Sequence, residues 1–181
     1  IGEGWNFGEV ENGRRFVQAA QRSLNGSGIG TFSDRARDAA RGSSWGSADD
    51  TLRNPGWIHG NGTAQQADLL RVGLAGTLEN VEITDRNGQR VPLSRIDYNG
   101  QPAGYASQPA EVVNYVENHD NQTLFDNNAI KLPLDTTRED RARVQHLGAA
   151  LVAFSQGIAY FHAGQEILRS KSLDRNSYDS G

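Results

Sequence analysis

The sequence lacks cysteine and methionine altogether, and it contains no long hydrophobic run. Without cysteine, the chain has neither disulfide bonds nor a thiolate metal site. No apolar stretch approaches the ~20 residues of a membrane-spanning helix, and no signal peptide is evident, so we expect no membrane partner. The compartment, whether secreted or cytoplasmic, stays open.

Positive charge is also scarce. The chain has 18 Lys and Arg against 22 Asp and Glu, for a net charge of −4, so we expect no basic patch and no nucleic-acid partner. No cluster of metal ligands is evident, because His59, His146 and His162 are widely separated. His146 falls within a helical pattern and is expected on the helix surface. The sequence therefore predicts no metal site.

A chain of 181 residues has room for one domain with a hydrophobic core. We treat residues 1–181 as one domain with irregular excursions at 42–63 and 94–111, where Gly, Ser, Asn and Pro are frequent. The first residue is Ile1 rather than methionine, which indicates a segment of a longer polypeptide.

The chain is organised around the stretch VVNYVENHDNQTLFD, residues 112–126. The apolar run Val112–Val116 predicts a strand buried on both faces. The polar residues 118–121 follow it directly, and enzymes with parallel sheets keep their chemistry at the carboxyl ends of such strands. Asn and Asp also form ordinary turns, so a simple turn is the alternative.

The first ten residues, IGEGWNFGEV, place Glu3 between two glycines and two residues before Trp5. Glycines let backbone or ligand approach a carboxylate closely. An exposed tryptophan offers a flat apolar surface on which sugars stack. The alternative is a glycine-rich turn with a tryptophan in the core.

Helical patterns cover residues 12–24, 34–41 and 64–74, and a longer helix runs from a capping box at Thr136 and Glu139 to Gly157. Strands are predicted at 29–32 and 158–161, and a hairpin over 81–93 turns at Asn87-Gly88. Ser33 is the predicted cap of the helix at 34–41. The charged side chains of that helix are expected to form solvated ion pairs, although they could also line a site.

The order strand, helix, strand over residues 112–161 predicts a βαβ unit with parallel strands. In that unit, Val144, Leu147, Leu151 and Phe154 recur on one face of the helix. The second strand also ends in polar residues, namely His162, Gln165 and Glu166.

Four stretches resemble signature regions of glycoside hydrolase family 13, the α-amylase superfamily. They are GEGW, TFSDRARDAARG, YVENHDNQTL and LRSKSLDRNSYDSG. Their residues are similar to those of the debranching enzymes of this family, the type I pullulanases and limit dextrinases. The resemblance implies an α/β fold, with this chain supplying the C-terminal half of a (β/α)8 barrel, about strands five to eight. It also implies hydrolysis of α-1,6-glucosidic linkages in a branched α-glucan such as pullulan, limit dextrin or amylopectin, with retention of configuration.

By the same resemblance, Glu3 is the general acid/base, while His119 and Asp120 hold the sugar and stabilise the transition state. We expect burial and a neighbouring negative charge to keep Glu3 protonated near neutral pH. Residues implied to bind substrate are Trp5, Asn121, Asp174 and Arg175. The resemblance implies no cofactor for the reaction and leaves open a structural calcium ion in the full-length enzyme.

The nucleophile of the family, an aspartate at the end of strand four with an arginine two residues before it, has no counterpart in this sequence. Asp34 and Asp38 do not match that motif. We therefore expect the segment to be inactive alone and to need the remaining half of the barrel and accessory domains of the same polypeptide. Two alternatives remain: another family-13 enzyme such as an α-amylase, or a non-catalytic protein that binds α-glucans.

Overall fold

The computed structural model describes residues 1–5, 20–43 and 54–175. They form a mixed α/β fold with four α-helices, seven short strands and several turns of 3-10 helix. The helices are α1 Asp34–Arg41, α2 Ala64–Leu74, α3 Leu124–Lys131 and α4 Arg138–Phe154. The strands are β1 Thr31–Ser33, β2 Glu82–Thr84, β3 Arg90–Pro92, β4 Asp97–Tyr98, β5 Gln101–Pro102, β6 Val112–Asn114 and β7 Ile158–Ala159.

The central sheet is parallel, with the strand order β1–β6–β7. Strand β6 is buried along its whole length, as the sequence predicted for the apolar run at 112–116. The predicted βαβ unit is also confirmed, because α4 lies between β6 and β7 and these strands pair in parallel. On the other side of the sheet, Gly2 makes a parallel bridge to Thr31. All of these strands therefore end at the same edge of the sheet.

The main apolar core lies among the helices and the segments that follow the strands. Its members come from α1, the 3-10 helix at 57–59, α2, the region 93–103, the end of the β6 segment and α4: Ala39, Ala40, Ile58, Leu69, Leu70, Val72, Leu93, Ile96, Tyr98, Ala103, Val116, Leu124 and Val152. None of the described helices is long and apolar enough to cross a membrane.

Strand β7 is less buried than the sequence predicted. Within the described residues it has a strand neighbour only on the β6 side. The prediction of a buried run over 158–161 is therefore wrong, since Ala159 is exposed and Phe161 is half exposed. The strand predicted at 29–32 begins two residues later, and Ile29 is exposed.

The excursion at 94–111 is more regular than predicted. Strands β4 and β5 pair antiparallel within it, and a 3-10 helix covers Pro109–Glu111. The turn between the two strands is Asn99-Gly100, and both residues have positive φ, at 51° and 80°. Two-residue hairpin loops favour Asn-Gly for this reason. The same dipeptide at Asn87-Gly88 had correctly predicted the β2–β3 hairpin, so the signal was present in both places.

The excursion predicted at 42–63 lies outside the described residues over 44–53, and the helix predicted at 12–24 lies outside them over 12–19. The described part of the first contains a 3-10 helix at Trp57–His59. The described end of the second, residues 21–24, forms turns rather than a helix.

Helix α4 begins one residue later than the predicted capping box. Thr137 is the cap, and its hydroxyl oxygen accepts a hydrogen bond from the Asp140 backbone N–H at 3.1 Å. Thr136 instead closes a preceding turn by donating its N–H to the Pro133 carbonyl. The predicted apolar face is only partly covered, since the side chain of Phe154 is 80% exposed. His146 is exposed on this helix, as predicted.

Helix α3 was not predicted. It begins after Thr123, whose hydroxyl oxygen accepts from the Asp126 N–H at 3.1 Å. A threonine followed three residues later by an acidic residue is a helix-start signal, and this one was overlooked. Because α3 follows directly on the polar residues 118–121, it anchors the end of that turn.

Helix α1 has the predicted bounds and ends at Gly42, but its predicted solvation is wrong. All three of its arginines, Arg35, Arg37 and Arg41, are buried. Each is buried with polar or aromatic partners from other segments of the chain. Ser33 occupies the cap position as predicted but makes no capping hydrogen bond.

Candidate functional site

The polar turn that follows β6 is built by short-range hydrogen bonds. The side-chain oxygen of Asn118 accepts from the Asp120 N–H at 2.8 Å, which closes a tight turn around His119. Asn121 then takes a left-handed conformation with φ of 59°, a region that asparagine tolerates better than most residues. The turn projects His119 and Asp120 outward, with side chains 71% and 43% exposed.

Glu3 reaches the same edge from the neighbouring segment. Gly4 has φ of 78°, and a β-carbon there would lie 2.8 Å from the β-carbon of Thr31. The sequence-based expectation that glycine allows a close backbone approach at this point is thus confirmed. The expected burial of Glu3 is wrong, because its side chain is exposed and the glycines on either side cannot cover it.

Three predicted residues from distant parts of the sequence come together at this edge. Glu3, His119 and Asp120 each contribute one oxygen or nitrogen atom to a group whose members all lie within 4.8 Å of one another. The His119 Nε2 atom lies 3.4 Å from the Asp120 Oδ1 atom. We refer to these three residues as the rim trio. These atoms are close enough together to bind one metal ion, a site that the sequence did not predict.

Trp5, the predicted sugar-stacking residue, follows Glu3 by two positions in the sequence. Its side chain is half buried. The guanidinium of Arg37 lies 5.9 Å from the centre of its indole ring, which is within the range of a cation–π contact. The Arg37 guanidinium also donates to the Tyr115 hydroxyl at 2.5 Å. One face of Trp5 is thus supported from within the chain.

The remaining predicted substrate-binding residues lie in loops. Asn121 is half buried at the end of the polar turn. Asp174 and Arg175 are half buried in the segment after β7, where the Asp174 N–H donates to the Lys171 carbonyl at 3.0 Å. The roles of these residues in binding stay predictions.

The acidic residues of α1 are engaged in structural contacts. Asp38 accepts from the Arg37 Nε at 2.7 Å and from the Tyr98 hydroxyl at 2.8 Å. Asp34 accepts from Arg35 at 2.5 Å. Of the two interpretations of this helix, ion pairing is the one the geometry favours, although the pairs are partly buried rather than solvated.

A buried carboxylate lies directly beneath the polar turn. Glu117 is 1% exposed, and its Oε2 atom accepts from the Leu124 N–H at 2.5 Å, which joins the two ends of the turn. Its Oε1 atom lies 3.3 Å from His162 Nδ1 and 3.9 Å from Arg169 Nη2. Burial raises the pKa of Glu117, and the hydrogen bond from Leu124 opposes that rise.

His162, one of the polar residues predicted at the end of the second strand, faces Glu117 and contacts Arg169. The guanidinium of Arg169 lies 2.5 Å from His162 Nδ1, and since arginine only donates, the histidine nitrogen accepts. Burial and the neighbouring Arg169 charge lower the pKa of His162. The sequence analysis missed Glu117 and Arg169. The position of Glu117, between an apolar strand and a polar turn, could have marked it as a candidate site residue.

His59 is a buried histidine that is distant in the sequence from the rim trio. Its Nδ1 atom accepts from the Gly56 N–H at 2.9 Å, and its Nε2 atom lies 2.9 Å from the Asn128 side-chain oxygen. Burial lowers its pKa. Its ring therefore serves to fasten the 3-10 helix at 57–59 to α3.

Comparison with known proteins finds pullulanases among the relatives of this chain. No protein-family model matches the chain. The chain is 43% identical to "Pullulanase 1, chloroplastic" of Arabidopsis thaliana, over 99% of its length and 20% of the relative. It is 45% identical to a pullulanase of Klebsiella aerogenes, over 100% of its length and 18% of the relative.

The solved structures agree. A maltotriose complex of PulA from Klebsiella pneumoniae superposes on 99% of this chain with a TM-score of 0.92 and 44% identity, and the match covers 20% of that protein. The chain thus spans about one fifth of the length of the relatives it matches. Over its whole length, this chain is a homologue of the pullulanases and corresponds to one segment of them.

Proposed function

We propose that this chain forms the C-terminal half of a (β/α)8 barrel, about strands five to eight, in a starch-debranching glycoside hydrolase. The parallel order from the Gly2 segment through β1 and β6 to β7 supports the barrel assignment. In such barrels, catalytic groups stand at the carboxyl ends of several strands. The substrate proposed is a branched α-glucan, cleaved at α-1,6 linkages. The structure of PulA from K. pneumoniae in complex with maltotriose supports this substrate class.

The observation that carries the proposal is the convergence of the rim trio. Its atoms lie within 4.8 Å of one another although Glu3 and Asp120 are far apart in the sequence. A fold brings exposed carboxylates together at a cost, since like charges repel. This arrangement is more readily explained by a ligand that uses both groups than by stability.

In the proposed reaction, Glu3 gives its proton to the glycosidic oxygen as the leaving sugar departs. A second carboxylate, about 5 to 5.5 Å away, attacks the anomeric carbon, and water then hydrolyses the glycosyl-enzyme with Glu3 acting as base. We assign Asp120 and His119 to the sugar hydroxyls, where hydrogen bonds strengthen as positive charge develops on the ring. Trp5 would stack a glucose on the leaving-group side.

The nucleophile is assigned to a part of the polypeptide outside this chain, at the end of barrel strand four. The remaining barrel half and accessory domains are its proposed partners. The reaction needs two carboxyl groups and water rather than a cofactor. The family resemblance leaves a structural calcium ion in the full-length enzyme open.

The test uses the complete protein that carries this chain, with Glu3→Gln as the variant. The amide keeps the shape of the side chain but has no proton to give, so kcat on pullulan should fall by about 100-fold or more while maltotriose binding persists. Glu82→Gln is the matched control, because Glu82 is an exposed glutamate in the β2–β3 hairpin paired with Arg90. It should retain full activity.

The outcomes separate the competing functions. A wild-type protein that binds maltotriose but releases no reducing sugar from pullulan or amylose would be a glucan-binding protein. Release from amylose and not from pullulan would indicate α-1,4 cleavage. Near-normal kcat in Glu3→Gln would remove Glu3 from the role of acid.

A further inference from the structure

The segment after β7, residues 169–172, lies against the polar turn that carries His119 and Asp120. The ammonium group of Lys171 donates to the backbone carbonyl of His119 at 2.7 Å. This contact joins the end of one strand segment to the residue at the centre of the rim trio. Sequence analysis did not single out Lys171, and no role in catalysis follows from the assignments above.

The same segment is fixed to the helix that follows the turn. Asp126 of α3, which is 1% exposed, accepts from the Ser170 hydroxyl at 2.5 Å and from the Lys171 backbone N–H at 2.8 Å. Hydrogen bonds to an ionised carboxylate are stronger than those between neutral groups. The backbone of Lys171 is therefore held on α3 while its side chain reaches back to His119.

The backbone around this segment is held in an unfavourable conformation. Leu168, Ser172 and Leu173 have positive φ, at 60°, 54° and 67°. Such conformations are strained and persist where surrounding contacts determine them. Here the hydrogen bonds to Asp126 and to His119 hold the backbone in this conformation. Strained backbone conformations cluster at functional sites.

The charge of Lys171 also faces the site. Burial and the Arg169 charge lower the pKa of Lys171, and the carboxylates of Asp174, Asp120 and Asp126 oppose that lowering. Asp120 belongs to the rim trio, and Asp174 is one of the residues that the family resemblance implies to bind substrate. Lys171 thus connects the backbone of the polar turn with the loop that carries Asp174 and Arg175.

We propose that Lys171 is a positioning residue for catalysis, acting through the His119 carbonyl to fix the orientation of His119 and Asp120 relative to Glu3. The proposal rests on the function proposed above. A displacement of about 1 Å in such a group lowers catalysis by up to about 100-fold. Since Lys171 acts on the geometry of the transition-state groups, its loss should lower kcat more than it raises KM.

The experiment compares Lys171→Met and Lys171→Arg in the complete protein, with pullulan as substrate. Methionine keeps the length and apolar stem but cannot donate, whereas arginine keeps both charge and donor. We expect kcat to fall about 10- to 100-fold in Lys171→Met with KM within about twofold of the wild type, and to recover substantially in Lys171→Arg. Arg143→Met, which removes an exposed cation paired with Asp140, is the control and should be unchanged.

Each kcat is referred to the folded fraction, measured by near-UV circular dichroism and by maltotriose binding, so that partial unfolding does not imitate a catalytic loss. An active wild type whose kcat survives in Lys171→Met would overturn the positioning role. The role would equally be wrong if kcat per folded molecule were the same in the methionine and arginine variants. An inactive wild type would instead contradict the proposed function itself.

Discussion

Two groups of charged residues contrast in this molecule. The rim trio, Glu3, His119 and Asp120, is exposed to solvent at the edge of the sheet. A second group, which we call the buried charged layer, is almost inaccessible: Arg35, Arg37, Arg41, Glu117 and Lys131. The buried groups are engaged with partners inside the chain, whereas the rim trio is open to a ligand. Exposure rather than charge therefore separates groups available for chemistry from groups that hold loops in place.

The contacts of Arg35 and Lys131 illustrate what the buried layer does. The guanidinium of Arg35 lies 4.7 Å from the ring centres of Tyr98 and Tyr105 and donates to the Ala103 carbonyl at 3.2 Å. Lys131 donates to the carbonyls of Arg41 and Ser43 at 2.8 and 2.9 Å. Each buried cation thus fixes a loop excursion to a helix.

The largest effect that would test this contrast is the loss of Arg35. In Arg35→Met, the packing of the aliphatic stem is kept, but the cation between the two tyrosines and the partner of Asp34 are lost. We expect the segment at 97–105 to lose about 3 to 5 kcal/mol of local stability, as for a broken buried ion pair. Hydrogen exchange of peptides covering 94–111 in the complete protein measures this change.

The control for Arg35 is Arg90→Met, which breaks an exposed pair with Glu82. Exposed pairs contribute about 0 to 1 kcal/mol, so its hydrogen exchange should hardly change. Equal effects in the two variants would show that burial does not distinguish the charges, and the contrast would fail.

The rim trio should respond in the opposite way, with loss of catalysis and little loss of stability. Asp120→Asn and His119→Ala should each lower kcat/KM by a factor equivalent to about 3 kcal/mol, because both groups are proposed to stabilise the transition state. Steady-state kinetics on pullulan and the melting temperature together test this. The exposed Asp135→Asn is the control. Changes confined to KM would mean that the pair binds ground state and transition state alike.

The sequence was informative about the edge of the sheet and uninformative about the layer beneath it. The strand at 112–116 and helix α4 follow from local periodicity. The roles of Glu3, His119 and Asp120 follow from the family resemblance. Their proximity depends on parallel pairing across distant segments, which the βαβ pattern predicted for only one pair of strands.

The buried layer could not be predicted from local pattern. Helix α1 reads as a solvated, ion-paired helix, but Arg35 is covered by residues more than sixty positions away, around Tyr98 and Ala103. The long aliphatic stem of arginine allows such burial when the head group is satisfied. Lys171 and Glu117 were missed for the same reason, since their partners lie on other strand ends.

The smallest effect expected is a dependence of stability on pH that arises in the buried layer. Burial, reinforced by the Arg41 charge and opposed by Asp38, lowers the pKa of Lys131 to about 7 in the folded protein, whereas an unfolded lysine titrates near 10.5. Between these values the unfolded state binds more protons than the folded state. The free energy of unfolding should therefore rise with pH, by up to about 1.4 kcal/mol per pH unit.

Urea unfolding at pH 7, 8 and 9 measures this slope, and Lys131→Met provides the comparison. Methionine does not titrate, so the free energy of unfolding of the variant should lack this rise with pH. The free energy of unfolding of the wild type, relative to that of the variant, should therefore increase by about 2 kcal/mol from pH 7 to pH 9. The comparison uses the slope, because losing the hydrogen bonds to the Arg41 and Ser43 carbonyls shifts stability at every pH alike. Burial also lowers the pKa of Arg41, to about 10, so the titration of Arg41 contributes little to the slope between pH 7 and 9. A slope that persists in the variant would mean that Lys131 is charged to the same extent in both states, and the buried layer would then tolerate a cation as readily as the solvent-exposed edge does.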